Sequence, residues 1–158
     1  MRKIKRNKKK YKRDIKYKSK LVTYFINNIM RNGKKNIANK IFYKTLNYIE
    51  KQFKNKNLNP LQILKIAINN GSPEVEIKTR KIGGATYNMP IRINNKRKIY
   101  LSIKWLILNS KKKKNESMFK RLAKEIILTY NGIGETIKKK NQIHKIAESN
   151  KAFSHFKF

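Results

Sequence analysis

The sequence predicts a mainly α-helical single domain of six helices, with a protruding two-stranded β-hairpin arm and a basic N-terminal extension. Three observations carry that expectation. Apolar residues recur at helical spacing along most of the chain, as helices with one buried face require. The period changes to two only once, around Gly83–Gly84. The opening run "MRKIKRNKKKYKR" is almost devoid of apolar periodicity and cannot bury enough surface to fold alone. Residues 1–18 are therefore expected as an arm that is disordered without its partner, and residues 19–158 as the folded domain.

From Ser19, Leu21, Phe25 and Ile29 share a face at i, i+4, i+8, with Val22, Ile26 and Met30 beside them. Asn32 and Gly33 are expected to close this first helix as a C-cap. "GKK" opens a second, whose stripe is Ile37, Ile41, Phe42, Leu46, Ile49 and Phe53, followed by the polar linker "KNKNLN". The third has a clear start: Asn59 as cap, Pro60 at the first helical position, and Gln62 three residues after the cap. Leu61, Leu64 and Ile68 make its stripe, and Gly71 and Pro73 end it.

Strand alternation follows. Val75, Ile77 and Thr79 alternate with Glu74, Glu76, Lys78 and Arg80; Tyr87, Met89, Ile91 and Ile93 alternate with Thr86, Asn88, Pro90 and Arg92. These runs predict a hairpin over about 74–93. Its apolar positions are all odd-numbered, so pairing them on one face demands an odd-length loop, three or five residues long. Pro90 cannot donate to a ladder and must turn its nitrogen outward. After "NNKRK", Ile99–Leu108 is apolar on nearly every side except at Lys104, which predicts a central, buried fourth helix. Lys111–Lys114 read as a charged loop. Met118, Leu122, Ile126 and Ile127 predict a fifth helix closed by Gly132. Ile137, Ile143, Ile146 and Ala147 predict a sixth from Glu135 to about Asn150, before the tail "KAFSHFKF".

Charge bounds the function. Among 158 residues, 42 are Lys or Arg and 8 are Asp or Glu, a net charge of +34. Such a charge repels itself on compaction and demands a polyanionic partner. Hydrophobic residues make up 39%, below the globular norm of roughly 45–50%, so the core is thin. The chain contains no cysteine, hence no disulfide framework and no thiolate metal site. No apolar run reaches the ~20 residues of a membrane span, and the basic N-terminus lacks the apolar stretch of a secretory signal.

Catalytic and cofactor signals are weak. "IGGA" stands between two strands, whereas a phosphate loop needs a longer glycine-spaced run ending in Gly-Lys-Ser or Gly-Lys-Thr before a helix. His144 and His155 are eleven positions apart with no acidic cluster nearby, so a surface position and a tail position explain them better than a metal site. Glu74 and Glu76 sit among lysines, where a solvated or ion-paired face is the better reading. No catalytic residue, cofactor or metal is expected.

The basic clusters are the strongest signal, because each phosphate contact releases counterions. They comprise Arg2, Lys3, Arg6, Lys8, Lys9 and Lys10 in the arm, and Lys34 and Lys35 at the second helix. Lys78, Arg80, Lys81 and Arg92 lie in the hairpin, Lys96, Arg97 and Lys98 after it, and Lys111, Lys112, Lys113 and Lys114 beyond the fourth helix. Lys138–Lys140 form a further run. A single lysine run is ordinarily a solvated face; six on one thin-cored domain call for more. Tyr11, Tyr17, Tyr87, Phe153, Phe156 and Phe158 are interleaved with the charge and can either pack on the core or stack on unpaired bases.

Several stretches together carry a family resemblance: "KLVTYFINNIMRNGKKNIA" (Lys20–Ala38), "NPLQILKIAINN" (Asn59–Asn70), "PEVEIKTRKIGGATYNMPI" (Pro73–Ile91), "LSIKWL" (Leu101–Leu106) and "HKIAESNKAFSHFKF" (His144–Phe158). In order and spacing the chain resembles the small-subunit ribosomal protein seven family of bacteria and organelles, from about Tyr17 to Phe158. The resemblance implies a six-helix body with a β-hairpin and a non-enzymatic, primary rRNA-binding role. It implies organisation of the 3′ major domain, the head of the small subunit, near the tRNA exit site and the mRNA exit channel. Neighbouring small-subunit proteins are implied as partners, with exit-site tRNA and mRNA nearby, no membrane and no functional homo-oligomer. Carried over, Lys34 and Lys35 match an rRNA contact, and Lys78, Arg80 and Lys81 the basic first strand of the arm. Met118 matches the Ser-Met that opens the fifth helix beside an rRNA-contacting loop. Gly83, Gly84, Ala85, Thr86 and Tyr87 match the tip near exit-site tRNA and mRNA.

Two departures stand out. The family's Pro-Asp-Pro before the first helix is here "RDI" at Arg13–Ile15, and many family arginines are lysines, as at Lys104. Lysine is a point charge without the arginine fork. With abundant Asn and Ile, the swap suggests an AT-rich, reduced genome, and a location in the ribosome of a bacterial cytoplasm or of an organelle. A DNA-compacting, nucleoid-type protein is the alternative from another class, since charge and a β-arm also suit DNA.

Overall fold

The computed structural model describes residues 12–54, 58–112 and 115–156, of which 154–156 by backbone alone. Among them are six α-helices: α1 (Lys20–Ile29), α2 (Lys35–Gln52), α3 (Pro60–Asn70), α4 (Asn95–Lys112), α5 (Met118–Tyr130) and α6 (Glu135–Ser149). Between α3 and α4 lie β1 (Val75–Ile82) and β2 (Ala85–Arg92), an antiparallel pair, and a 3₁₀ helix (Lys151–Phe156) follows α6. The chain divides into two compact units, residues 1–40 and 41–158, with the boundary inside α2.

In the first unit, Val22, Phe25, Ile26 and Ile29 are buried, while Leu21 and Met30 are half-buried. The helix ends earlier than expected: Met30, not Gly33, is its C-cap. Asn32 (φ 50°) and Gly33 (φ 72°) are both left-handed and form the turn into α2 instead. Before α1, the Asp14 carboxylate accepts the Tyr17 N–H at 3.0 Å, and Thr23 Oγ1 donates to the Lys12 carbonyl at 2.9 Å.

The second unit holds the larger core. Phe42, Leu46 and Ile49 of α2 are buried as expected; in the part of α2 that belongs to the first unit, Ile37 is 54% exposed and Ala38 is buried in its place. Both positions fit a helical stripe, so periodicity could not choose between them. Thr45 Oγ1 donates to the carbonyls of Ile41 (2.8 Å) and Phe119 (3.3 Å), tying α2 to α5. α3 starts as the sequence predicts: Asn59 Oδ1 accepts the Leu61 N–H at 3.0 Å, with Pro60 at the first position. The Gln62 side chain is exposed.

α4 is central in this unit. It packs on α3, α5 and α6 and buries Leu101, Ile103, Trp105, Leu106 and Ile107, while Lys104 and Leu108 face outward. Gly71 ends α3 for a reason of space. Its φ is an ordinary −78°, but an added Cβ would lie 2.9 Å from Ser102 Oγ and 3.0 Å from Thr136 Cγ2. Lys111 and Lys112 belong to the last turn of α4 rather than to a loop, where their charge favours the helix C-terminus; Lys113 and Lys114 fall outside the described residues.

The hairpin corrects the register. Ile82 pairs with Ala85 and Val75 with Arg92, so odd positions oppose even ones across a two-residue Gly83–Gly84 turn. Both glycines have positive φ, 56° and 84°, as a type I′ turn needs. Consequently Val75 and Ile77 share one face of the ribbon, and Tyr87 and Met89 share the other. Parity had assumed one buried face. Here both faces find partners: at the base Val75 and Ile77 line a 230 Å³ cavity with Leu101, Trp105 and Ile143, and nearer the tip Tyr87 packs on Phe153 at 5.2 Å between ring centroids. Met89 is buried. The Ile93 N–H bonds the Glu74 carbonyl at 3.3 Å; alternation from there puts Pro90 at a non-hydrogen-bonded position, its nitrogen outward as expected.

Replacing Gly83 and Gly84 together with valine should distort the arm and spare the helices. Nothing lies within 4 Å of either added Cβ, so the penalty is backbone conformation, roughly 1–2 kcal/mol per residue. Amide NMR shifts should move across β1 and β2 while those of α3–α6 hold. Loss of helical circular dichroism would contradict this.

Candidate nucleic-acid interface

Lys34 and Lys35 follow the left-handed pair Asn32–Gly33, which swings the chain into α2 with both side chains exposed. Lys35 is the first residue of α2; its own N–H donates to the Gly33 carbonyl at 2.7 Å and that of Lys34 to the Arg31 carbonyl at 3.0 Å, so the two side chains and the positive end of the helix dipole are what favour an anion here.

On the arm, the register divides the basic residues. Lys78 and Arg80 share the face of Tyr87, while Lys81 and Arg92 share the face of Thr79 and Asn88. All four cations are exposed, and so are Gly83, Gly84, Ala85 and Thr86 at the tip. A ribbon charged on both faces can contact phosphates on either side of itself. Tyr87 is half-buried against Phe153, so at this position the packing alternative for the aromatics holds. Tyr17 is half-buried; Tyr11, Phe156 and Phe158 lie outside the described side chains.

The base of the arm is held by ion pairing. Arg97 donates from Nε (3.1 Å) and Nη2 (2.6 Å) to the two oxygens of Glu76, and its guanidinium stands 5.2 Å from the Tyr100 ring. Of the two readings of Glu76, solvated or ion-paired, the ion-paired one therefore holds. Arg97 spends its fork inside the protein, whereas neighbouring Lys96 is exposed. The hydrogen bond from Arg97, with its charge and those of Lys78 and Lys104, holds the Glu76 carboxyl below the usual carboxylate value. A depressed folded-state pKa gives stabilisation that is complete above the unfolded value and lost as pH falls through the folded one. Acidification below about pH 4.5 should therefore release the Arg97–Glu76 clamp, at a cost under ~1 kcal/mol because both partners are partly solvated. Glu76 side-chain NMR titration checks this; Arg97→Gln should return the midpoint to the ordinary range.

The α4–α5 junction gathers a third set. Met118 is half-buried, with Sδ 3.8 Å from Arg121 Nη2, and Arg121 Nη1 donates to the Lys111 carbonyl at 3.4 Å. Arg121 thus joins Lys111 to Met118, a role the sequence reading missed although its i+3 spacing from Met118 could have shown it. Lys44 lies 5.9 Å from the Phe119 ring, another cation beside this junction. Glu116 pairs with Lys124 at 2.7 Å, which lowers the carboxyl pKa.

Arg2, Lys3, Arg6, Lys8, Lys9 and Lys10 lie outside the described residues. His144 sits on α6, where Nε2 accepts the Glu74 N–H at 3.1 Å. Among the described residues no group of three metal-binding side chains occurs, and no helix is long and apolar enough to cross a membrane.

Known proteins give the same direction. The family model described as ribosomal protein S7p/S5e matches residues 1–151. A small ribosomal subunit protein uS7 from Flavobacterium johnsoniae is 43% identical over 145 residues, covering 92% of each chain. Proteins of the same name from Syntrophus aciditrophicus and Natranaerobius thermophilus are 41% and 42% identical, over 92% and 90% of this chain and 91% and 89% of their own. With six helices and a Gly-Gly hairpin among the described residues beside that match, the chain belongs to the ribosomal protein S7p/S5e family.

Proposed function

We propose that this protein is a non-catalytic, structural component of a bacterial-type small ribosomal subunit and binds small-subunit rRNA directly. The observation that carries the reading is the near full-length similarity to small ribosomal subunit proteins, on a chain of net charge +34. In this reading the protein organises the 3′ major domain of the rRNA, which forms the head. Lys34 and Lys35, the α4–α5 junction and the arm hold phosphates of a multi-helix junction, with neighbouring small-subunit proteins around them. The tip at Gly83–Tyr87 lies near the tRNA exit site and the mRNA exit channel. Exposure of Gly83, Gly84, Ala85 and Thr86 and cations on both ribbon faces support that placement. In this reading the protein is not a homo-oligomer in its functional state and works in the ribosome of a bacterial cytoplasm or of an organelle.

Crosslinking within assembled subunits tests this reading, by mapping the nucleotides joined to Lys34, Lys35 and the tip. Attachment confined to the 3′ major domain is the expected result. Crosslinks scattered over other rRNA domains would overturn the placement. Preference for duplex DNA over folded rRNA fragments would instead favour a DNA-compacting role.

A further inference from the structure

A polar groove of 780 Å³ opens where α3, α4 and α6 meet the base of the arm. Its walls differ from the lysine-studded surface. Three amide side chains line it: Asn69 from the end of α3, Asn95 from the first turn of α4, and Asn141 from α6. Lys98 and Lys140 are both half-buried there, and Lys140 Nζ is held on the Asn70 carbonyl at 2.9 Å. Ile99 supplies an apolar patch, and His144 is pinned by the Glu74 N–H.

We propose that this groove takes one unpaired nucleotide of the bound RNA, extruded from its stack. The proposal rests on the rRNA-binding reading and names a specific site within it. The volume suits a nucleotide, since small-molecule sites span roughly 300–1,000 Å³. Each amide offers both donor and acceptor, the chemistry that reads a base edge. The lysines supply the cation for its phosphate. Glu74 is the acidic residue of the lining: a bare anion site would not carry a carboxylate, whereas an exocyclic amino group of a base donates to one. RNA is read in this way mainly through splayed, unstacked bases.

The test uses the full chain, folded rRNA fragments of the 3′ major domain, and chemical probing of base edges. Asn95→Ala with Asn141→Ala removes readout without changing charge, and both residues are exposed, so the fold should persist by circular dichroism. Expected are loss of protection at one nucleotide and about tenfold weaker binding, with an unchanged salt slope. Unchanged protection and affinity would overturn the proposal. So would uniform weakening with a shallower salt slope, which marks phosphate contact alone. A free nucleoside monophosphate that displaces the RNA at micromolar concentration would make the groove a small-nucleotide site, also overturning it. Failure of the wild-type protein to prefer rRNA over duplex DNA would count against the parent reading instead.

Discussion

Truncating Glu125 to alanine should lower the free energy of unfolding by about 3 kcal/mol or more. Glu125 is 1% exposed, inside α5, and its Oε1 accepts from both the Thr136 N–H (3.0 Å) and the Thr136 hydroxyl (2.8 Å). It caps α6 from a different helix, where Gly134 offers no side-chain cap of its own. Thr136 is fully buried, and Asn109 Nδ2 donates to its hydroxyl at 3.3 Å, so one acceptor anchors three elements. Alanine would leave the buried Thr136 N–H without its acceptor, at ~1–3 kcal/mol, and would open a cavity besides. Glu125→Gln keeps an acceptor oxygen in place and should stay within about 1 kcal/mol of wild type, since hydrogen-bond geometry is preserved. Urea unfolding of the two variants separates these outcomes. Equal losses would mean that the charge, not the cap, is what matters.

Raising salt from about 50 to 200 mM should weaken binding to head-domain rRNA by roughly 10³–10⁵-fold, the loss expected for 6–10 phosphate contacts. Eight of the described candidate cations are exposed and therefore able to make such contacts: Lys34, Lys35, Lys78, Arg80, Lys81, Arg92, Lys96 and Lys112. Arg97 is left out because its fork is on Glu76. Replacing Lys78 and Arg80 with alanine should reduce the log–log slope by about 2, one for each lost contact. Filter binding over a salt series reads both. A flat plot would sink the phosphate-clamp account.

The legible parts of the site were those set by local chemistry. Lys34 and Lys35 could be placed at a helix start because Asn-Gly turns and lysine runs are local features, and the structure exposes both. The arm was legible because alternation and a Gly-Gly pair need no distant partner. Its register was not. Odd-numbered apolar residues predicted one buried face, but the 3₁₀ helix meets one side of the ribbon and the cavity beside α4 and α6 the other, so each strand buries its apolar residues separately. For the same reason the Arg97–Glu76 pair was not legible: nothing local showed that Glu76, twenty-one positions earlier, would take the Arg97 fork.

By itself the sequence determined six helical segments, one hairpin and a charge of +34, hence a polyanionic partner. Periodicity, caps and composition act over a few residues or over the whole chain, and both scales can be read without coordinates. Tertiary structure alone decided which candidate stripe residues are buried, as with Ala38 over Ile37, and which cations remain available. It also decided that a glutamate on α5 caps α6, and that residues from α3, α4 and α6 enclose one groove. Those outcomes depend on which surfaces meet across long stretches of chain, and no local pattern encodes that meeting.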